Sequence, residues 1–215
     1  KITTKSKIHA FGQPVLDFTV SEVAKVDELK TRELLKIPKD KTILLYSPSR
    51  YLKYNANKSV KEELDYRIVN DPIFEIFESL SQEFDFEVLI RPHPNDTAEK
   101  FKDYVDSLAN CRIVNNEDVS LYGALAISDL VVAYNSTIMI EAVLSGKLSF
   151  PHNYDESEEY HLPELKDKPF IYSKNFEELK RNLKKALKGE FKTPNTRDFY
   201  EKGSVTKIID LINRL

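Results

Sequence analysis

A chain of 215 residues, 41% hydrophobic and 31% charged, is long enough to bury a substantial core as one large domain or two small ones. Its 32 basic and 35 acidic residues leave a net charge of -3, which disfavours a dominant nucleic-acid function, since that usually needs a basic stripe to neutralise phosphates. Nor does any apolar run approach the roughly 20 residues that span a bilayer.

One cysteine, Cys111, rules out an internal disulfide framework and suits a reducing compartment. It stands at the entrance of an expected strand and reads as a buried, inert thiol. The four histidines show no HExxH or similar zinc spacing, so no metal site is indicated. The chain starts at Lys1, its one methionine is Met139, and its first residues hold no apolar signal core. It therefore reads as a cut through a larger protein.

In chain order, "IHAF" (8–11) leads into a turn at Gly12 and Pro14, and "VSEVAKVDELKTRELLKI" carries apolar residues at helical spacing up to Pro38. "KTILLYSPSR" is a buried-type strand stopped by Ser-Pro-Ser. A flexible polar stretch, "YLKYNANKS", precedes a helical region from Val60 to Phe84. There Asn70-Asp71-Pro72 offers an N-cap and a first-turn proline, which predicts two helices or a kinked one. "FEVLIRPHP" is the next strand and turn, "DTAEKFKDYVDSLAN" a helix, "CRIVN" a short strand, "VSLYGALAIS" a helix and "DLVVAYN" a strand. "STIMIEAVLSGK" follows as a helix closed by Gly146, then "LSFP" as a strand. A loop rich in acids and tyrosine (152–168) leads to "PFIYS", the helix "NFEELKRNLKKALKG" and a helical tail over 190–215.

This alternation predicts an α/β fold: one Rossmann-like domain with a parallel sheet and helices on both faces. Such sheets bind ligands outside the carboxyl ends of their strands, near the switch in strand order. Three chemically unusual turns fall at those ends: "YSPSR", "RPHPND" and "YNST".

In the last of these, Asn135, Ser136 and Thr137 lie where a strand gives way to a helix, which gathers hydroxyls and backbone N–H groups suited to an anion. Capping of the helix by Asn135 or Ser136 is an equally physical use of the same residues. Glu141 falls four residues after Thr137, on the same helical face, where it can accept hydrogen bonds from ribose-like hydroxyls or pair with Lys147. In "RPHPND", prolines on both sides hold His93 in an extended loop, from which its imidazole can donate to a phosphate or sugar oxygen. Arg91 there supplies positive charge or pairs with a carboxylate. Ser47, Ser49 and Arg50 make a second candidate phosphate or sugar contact, or a simple turn.

These segments, "GQPVLD", "LLYSPSR", "RPHPND" and "SDLVVAYNSTIMIEAVLSGK", resemble the C-terminal half of GT-B-fold enzymes that handle nucleotide-activated sugars. The resemblance covers residues 8–150 well and the tail more loosely. By motif it is strongest to bacterial capsule and surface-polysaccharide transferases, including the CDP-glycerol glycerophosphotransferases and the Kdo transferases. The UDP-N-acetylglucosamine 2-epimerases share much of the pattern, although they usually have a Ser-Gly-Gly turn and paired acids where this chain has Ser136-Thr137-Ile138 and the single Glu141.

The resemblance implies a donor-binding domain of a glycosyl- or glycerophosphotransferase in surface polysaccharide synthesis. His93 would be the catalytic contact. Ser47, Ser49, Arg50, Arg91, Pro94, Asn95, Asn135, Ser136, Thr137 and Glu141 would bind the nucleotide and its phosphates. The donor is a CMP-, CDP- or UDP-linked sugar or a CDP-glycerol-type molecule, with no other cofactor. A glycan acceptor would reach a separate N-terminal domain, and without it this chain should bind nucleotide weakly and turn over little. The expected place is the cytoplasm, with docking of the parent protein on the inner membrane face left open. An epimerase-like enzyme, or a non-catalytic module using "NYDESEEYHLPELKDK" as an interaction surface, are the rival readings.

Overall fold

The computed structural model describes residues 12–48, 52–54, 60–63, 65–93, 96–134, 136–154, 163–167, 169–196 and 203–214. Five runs of apolar residues form one parallel sheet: β1 (Thr42–Ser47), β4 (Phe86–Ile90), β5 (Cys111–Ile113), β6 (Leu130–Ala133) and β7 (Leu148–Pro151). Their order is β5-β4-β1-β6-β7. Chain direction therefore reverses across the sheet after β5, and the switch falls between the neighbours β1 and β6. Every residue of β4 and β6 is buried, as expected for strands covered on both faces.

Helix α1 (Pro14–Ala24) packs on α5 (Leu121–Ile127) and α6 (Ile138–Leu144), and α2 (Glu28–Leu34) also packs on α5. On the other side α3 (Arg67–Ser81) packs with α7 (Phe176–Leu187). The right-handed crossovers that parallel strands favour put these two groups on opposite faces of this strand order. Tyr46, Phe77, Phe86, Phe101 and Phe150 are fully buried between the layers. The Tyr46 ring meets Phe74 and Phe77 edge-on at 5.8 and 5.7 Å, a favoured quadrupole arrangement.

Several elements differ from expectation. The helix predicted up to Pro38 is two, because Asp27 caps a fresh start: its carboxylate accepts from the Lys30 N–H at 3.1 Å. Pro14 opens α1 at its first turn, while "IHAF" lies outside the described residues. The polar stretch after β1 holds β2 (Leu52–Tyr54), antiparallel to β3 (Val60–Glu63), so the long helical region begins only at Arg67.

Asn70-Asp71-Pro72 does not interrupt that helix, since Asn70 is buried and already satisfied. Its Nδ2 donates to the Tyr66 carbonyl at 2.7 Å, and its Oδ1 accepts from the Tyr46 hydroxyl at 2.5 Å. "DTAEKFKDYVDSLAN" begins as a 3-10 turn, Ala98–Phe101, before α4 (Lys102–Ser107).

"PFIYS" forms no named strand but runs beside β7. Ile171 N–H donates to Ser149 and Ser173 N–H to Pro151, both at 2.9 Å. Most of the acidic loop before it, 155–162, lies outside the described residues. In the tail, α8 (Ser204–Ile212) is tied to α1 by Asp17, whose carboxylate accepts from the Gly203 and Ser204 N–H groups at 3.2 and 2.8 Å. Cys111 is buried, and burial pushes its thiol up to about 12, consistent with an inert role.

Candidate functional site: a cleft at the switch point

At the carboxyl ends of β1 and β6, Ser47 pairs with Ala133, and the chain beyond each strand leaves the sheet. A cleft of about 620 Å³ opens there, lined by Ser47, Arg91, His93, Ser136, Thr137 and Glu141 among others. All three turns singled out in the sequence thus meet at one rim. Ser49, Arg50, Pro94, Asn95 and Asn135 lie outside the described residues.

Arg91 is buried rather than displayed. Its Nη1 donates to the Val119 carbonyl at 2.9 Å, and its Nη2 bonds the Asn116 side-chain oxygen. Burial pulls its pKa below the ordinary arginine value, opposed by Asp118. No carboxylate among the described residues forms an ion pair with it, so its first task is to fasten the loop after β5. That loop is further closed by Asp118, whose carboxylate accepts from the Asn115 N–H at 2.8 Å. Asn115, Asn116 and Glu117 accordingly form a cleft wall that the sequence reading missed. The signal was present: "VNNED" follows a strand at the same rim as the other three turns.

His93 is exposed on the cleft, and its carbonyl accepts from the Asp96 N–H at 2.7 Å. This turn keeps the imidazole at the mouth. Asp96, also on the cleft, is held by Lys100 Nζ at 2.7 Å, which offsets its charge.

Thr137 precedes α6 with no side-chain cap bond. Neither its hydroxyl nor that of Ser136 meets a hydrogen-bond partner among the described residues, so capping has not consumed them. Glu141, half-buried in the first turn of α6, has its carboxyl pushed above the usual range by burial. It is not paired with Lys147, whose ammonium donates to the Ala126 carbonyl and is itself pushed down by burial. Gly146 closes the helix at φ 79°, a left-handed conformation that glycine adopts without strain.

Two hydroxyls and a carboxylate with no partner among the described residues, together with the His93 imidazole, therefore line one hollow stiffened by a buried guanidinium. A group with both phosphate oxygens and a diol matches that inventory.

A profile of the family described as CDP-Glycerol:Poly(glycerophosphate) glycerophosphotransferase matches residues 2–202. The chain belongs to this family. A comparison with curated proteins gives no match.

Among solved structures, UDP-GlcNAc 2-epimerase from Neisseria meningitidis is similar at TM-score 0.70 and 15% identity, over 97% of this chain and 56% of that one. A CDPG-soaked structure of the wall teichoic acid polymerase TagF is similar at 0.57 and 18%, over 99% and 52%. E. coli ADP-heptose lps heptosyltransferase II follows at 0.55 and 14%, over 76% and 51%. These likenesses show a shared Rossmann-like fold, and the chain spans about half the length of each. Among the described residues, no helix is long and apolar enough to cross a membrane.

Proposed function

We propose that this chain is the donor-binding unit of a longer two-domain glycerophosphotransferase that uses CDP-glycerol to extend a surface polymer of the wall or capsule type. Family membership supports the reaction class. The single observation that carries the site assignment is the meeting of His93, Ser136, Thr137 and Glu141 on one cleft at the switch point, where α/β sheets bind ligands.

In that reaction an acceptor hydroxyl attacks the phosphorus bearing the glycerol, the bond to the bridging oxygen breaks, and CMP leaves with the electron pair. The hydroxyls of Ser136 and Thr137 and the His93 imidazole would donate to the oxygens of the departing phosphate. Bonds that tighten as charge develops lower the barrier rather than only holding the substrate. Glu141 would accept from the ribose hydroxyls, and Arg91 would keep the Asn116 wall in place. Ser49, Arg50, Pro94, Asn95 and Asn135, outside the described residues, would keep the phosphate-binding roles that the resemblance implies.

The base that activates the acceptor, and the acceptor site itself, would belong to the other half of the enzyme. No cofactor beyond the nucleotide donor is required. The reading places the enzyme on the cytoplasmic side, with the polymer at the inner membrane face. Incubating the full-length protein with CDP-glycerol and a glycerol-phosphate primer should release CMP in step with primer growth. Release of free N-acetylmannosamine from UDP-N-acetylglucosamine, with CDP-glycerol untouched, would replace this reading by the epimerase one.

A further inference from the structure

A second hollow lies beyond β7 and shares no lining residue with the donor cleft. It is about 990 Å³, bounded by Lys166, the strap 169–174, one face of α7 and the segment 191–195. Its floor is aromatic and apolar: Phe170 is buried, Tyr172 half-buried, and Phe191 packs edge-on against Phe150 at 6.2 Å.

Four exposed lysines stand around that floor, Lys166, Lys174, Lys185 and Lys192, and the Lys166 ammonium sits 5.7 Å from the Tyr172 ring centroid. The one carboxylate among the described lining residues is committed elsewhere. Glu178 accepts from the Lys174 backbone N–H at 3.1 Å and from Arg181 at 3.2 Å, while its own N–H donates to the Asn175 side chain that caps α7 at 2.9 Å. The described lining thus carries four lysines, Lys185 and Lys192 among them, against one carboxylate, in a chain whose net charge is -3.

We infer that this groove binds a linear phosphodiester polyanion, the growing glycerol-phosphate polymer, as a holding site apart from the donor cleft. The inference rests on the proposed reaction for the polymer's identity. Lysines spaced around an open hollow on three segments suit successive phosphates, each as a point charge, and the apolar floor suits the short alkyl units between them.

A bilayer fits the shape less well. Membrane-surface binding needs a protruding apolar face, whereas the exposed large hydrophobics of the described residues, such as Phe18, Leu34 and Ile209, all lie outside this lining.

The test is fluorescence anisotropy of the protein with a labelled glycerol-phosphate decamer, with CDP titrated in parallel. Single glycerol 3-phosphate and phosphatidylglycerol vesicles serve as contrasts. The decamer should bind in a salt-dependent manner. Lys185→Gln with Lys192→Gln should weaken it about tenfold and flatten its salt dependence, with CDP affinity and folding unchanged. Decamer affinity equal in the variant and the parent, affinity no better than for glycerol 3-phosphate, or binding to vesicles alone would overturn the inference. Loss of CDP binding with decamer binding intact would instead strike the proposed function of the donor cleft.

Discussion

Strands β1 and β6 are finished differently at their two ends. At the amino end, buried Arg32 donates to the carbonyls of Pro38, Lys41 and Ile127 at 3.1, 2.9 and 3.0 Å. Asp129, just ahead of β6, accepts from the Ile43 N–H at 2.8 Å. At the carboxyl end, Arg91 makes comparable bonds to Val119 and Asn116, yet Ser136, Thr137 and Glu141 keep polar atoms with no described partner turned to a hollow. The two arginines do similar mechanical work on the same sheet. What separates the ends is whether polar capacity is left over, and a protein retains such capacity where a ligand will supply the missing partners.

The largest effect should come from the closed end. Arg32→Met removes three guanidinium hydrogen bonds, one of them to the buried Ile127 carbonyl, a loss of about 3 kcal/mol readable by urea denaturation, with nucleotide affinity of the folded protein unchanged. A parallel loss of affinity would erase the division between the ends.

A second effect sharpens the comparison at the far side of the carboxyl rim. His152 is fully buried, its ring nitrogens meet no side-chain partner among the described residues, and burial, opposed by the Asn153 backbone, lowers its pKa to about 3 from an ordinary 6.5. Folding favours the neutral ring, so its contribution is complete above pH 6.5 and is lost as the pH falls toward 3. Stability should drop by about 2 kcal/mol from pH 8 to pH 5, and His152→Leu should flatten that slope. A slope unchanged by the substitution would assign the acid sensitivity elsewhere.

At the open end the expectation reverses. Ser136→Ala or Thr137→Val should leave the unfolding free energy within about 0.5 kcal/mol of the parent while weakening CDP about tenfold each, the worth of one hydrogen bond to a charged group. The smallest effect belongs to Glu141. Its pKa is raised in the fold, so its ionised form opposes folding, and that opposition grows as pH rises through the raised value. Glu141→Gln should therefore gain several tenths of a kcal/mol at neutral pH, measured by thermal unfolding, and lose nucleotide affinity.

Much of this contrast was legible in the sequence, and its limits have physical reasons. Buried parallel strands are continuous apolar runs, so "TILLYS", "FEVLI" and "LVVA" announce themselves. The polar turns that follow them mark the rim.

What stayed hidden depends on distant partners. The fastening role of Arg91 was hidden because its bond to Val119 spans 28 positions, which no local pattern records. Asn70 looked like a helix start because its claim on the Tyr46 hydroxyl, 24 positions away, appears only once α3 lies on β1. The lysines of the second hollow come from three segments and have no common motif. A hairpin was missed where "YLKYNANKS" offers little apolar alternation to reveal a strand.

The central claim is that the open end of β1 and β6 is a pocket for a nucleotide's phosphates and ribose. Calorimetric titration of CDP into the parent protein and into the Ser136→Ala/Thr137→Val double variant tests it most directly. The account predicts saturable binding by the parent and roughly hundredfold weaker binding by the equally stable variant. Equal affinity in the two proteins, or no heat from the parent at millimolar CDP, would contradict it.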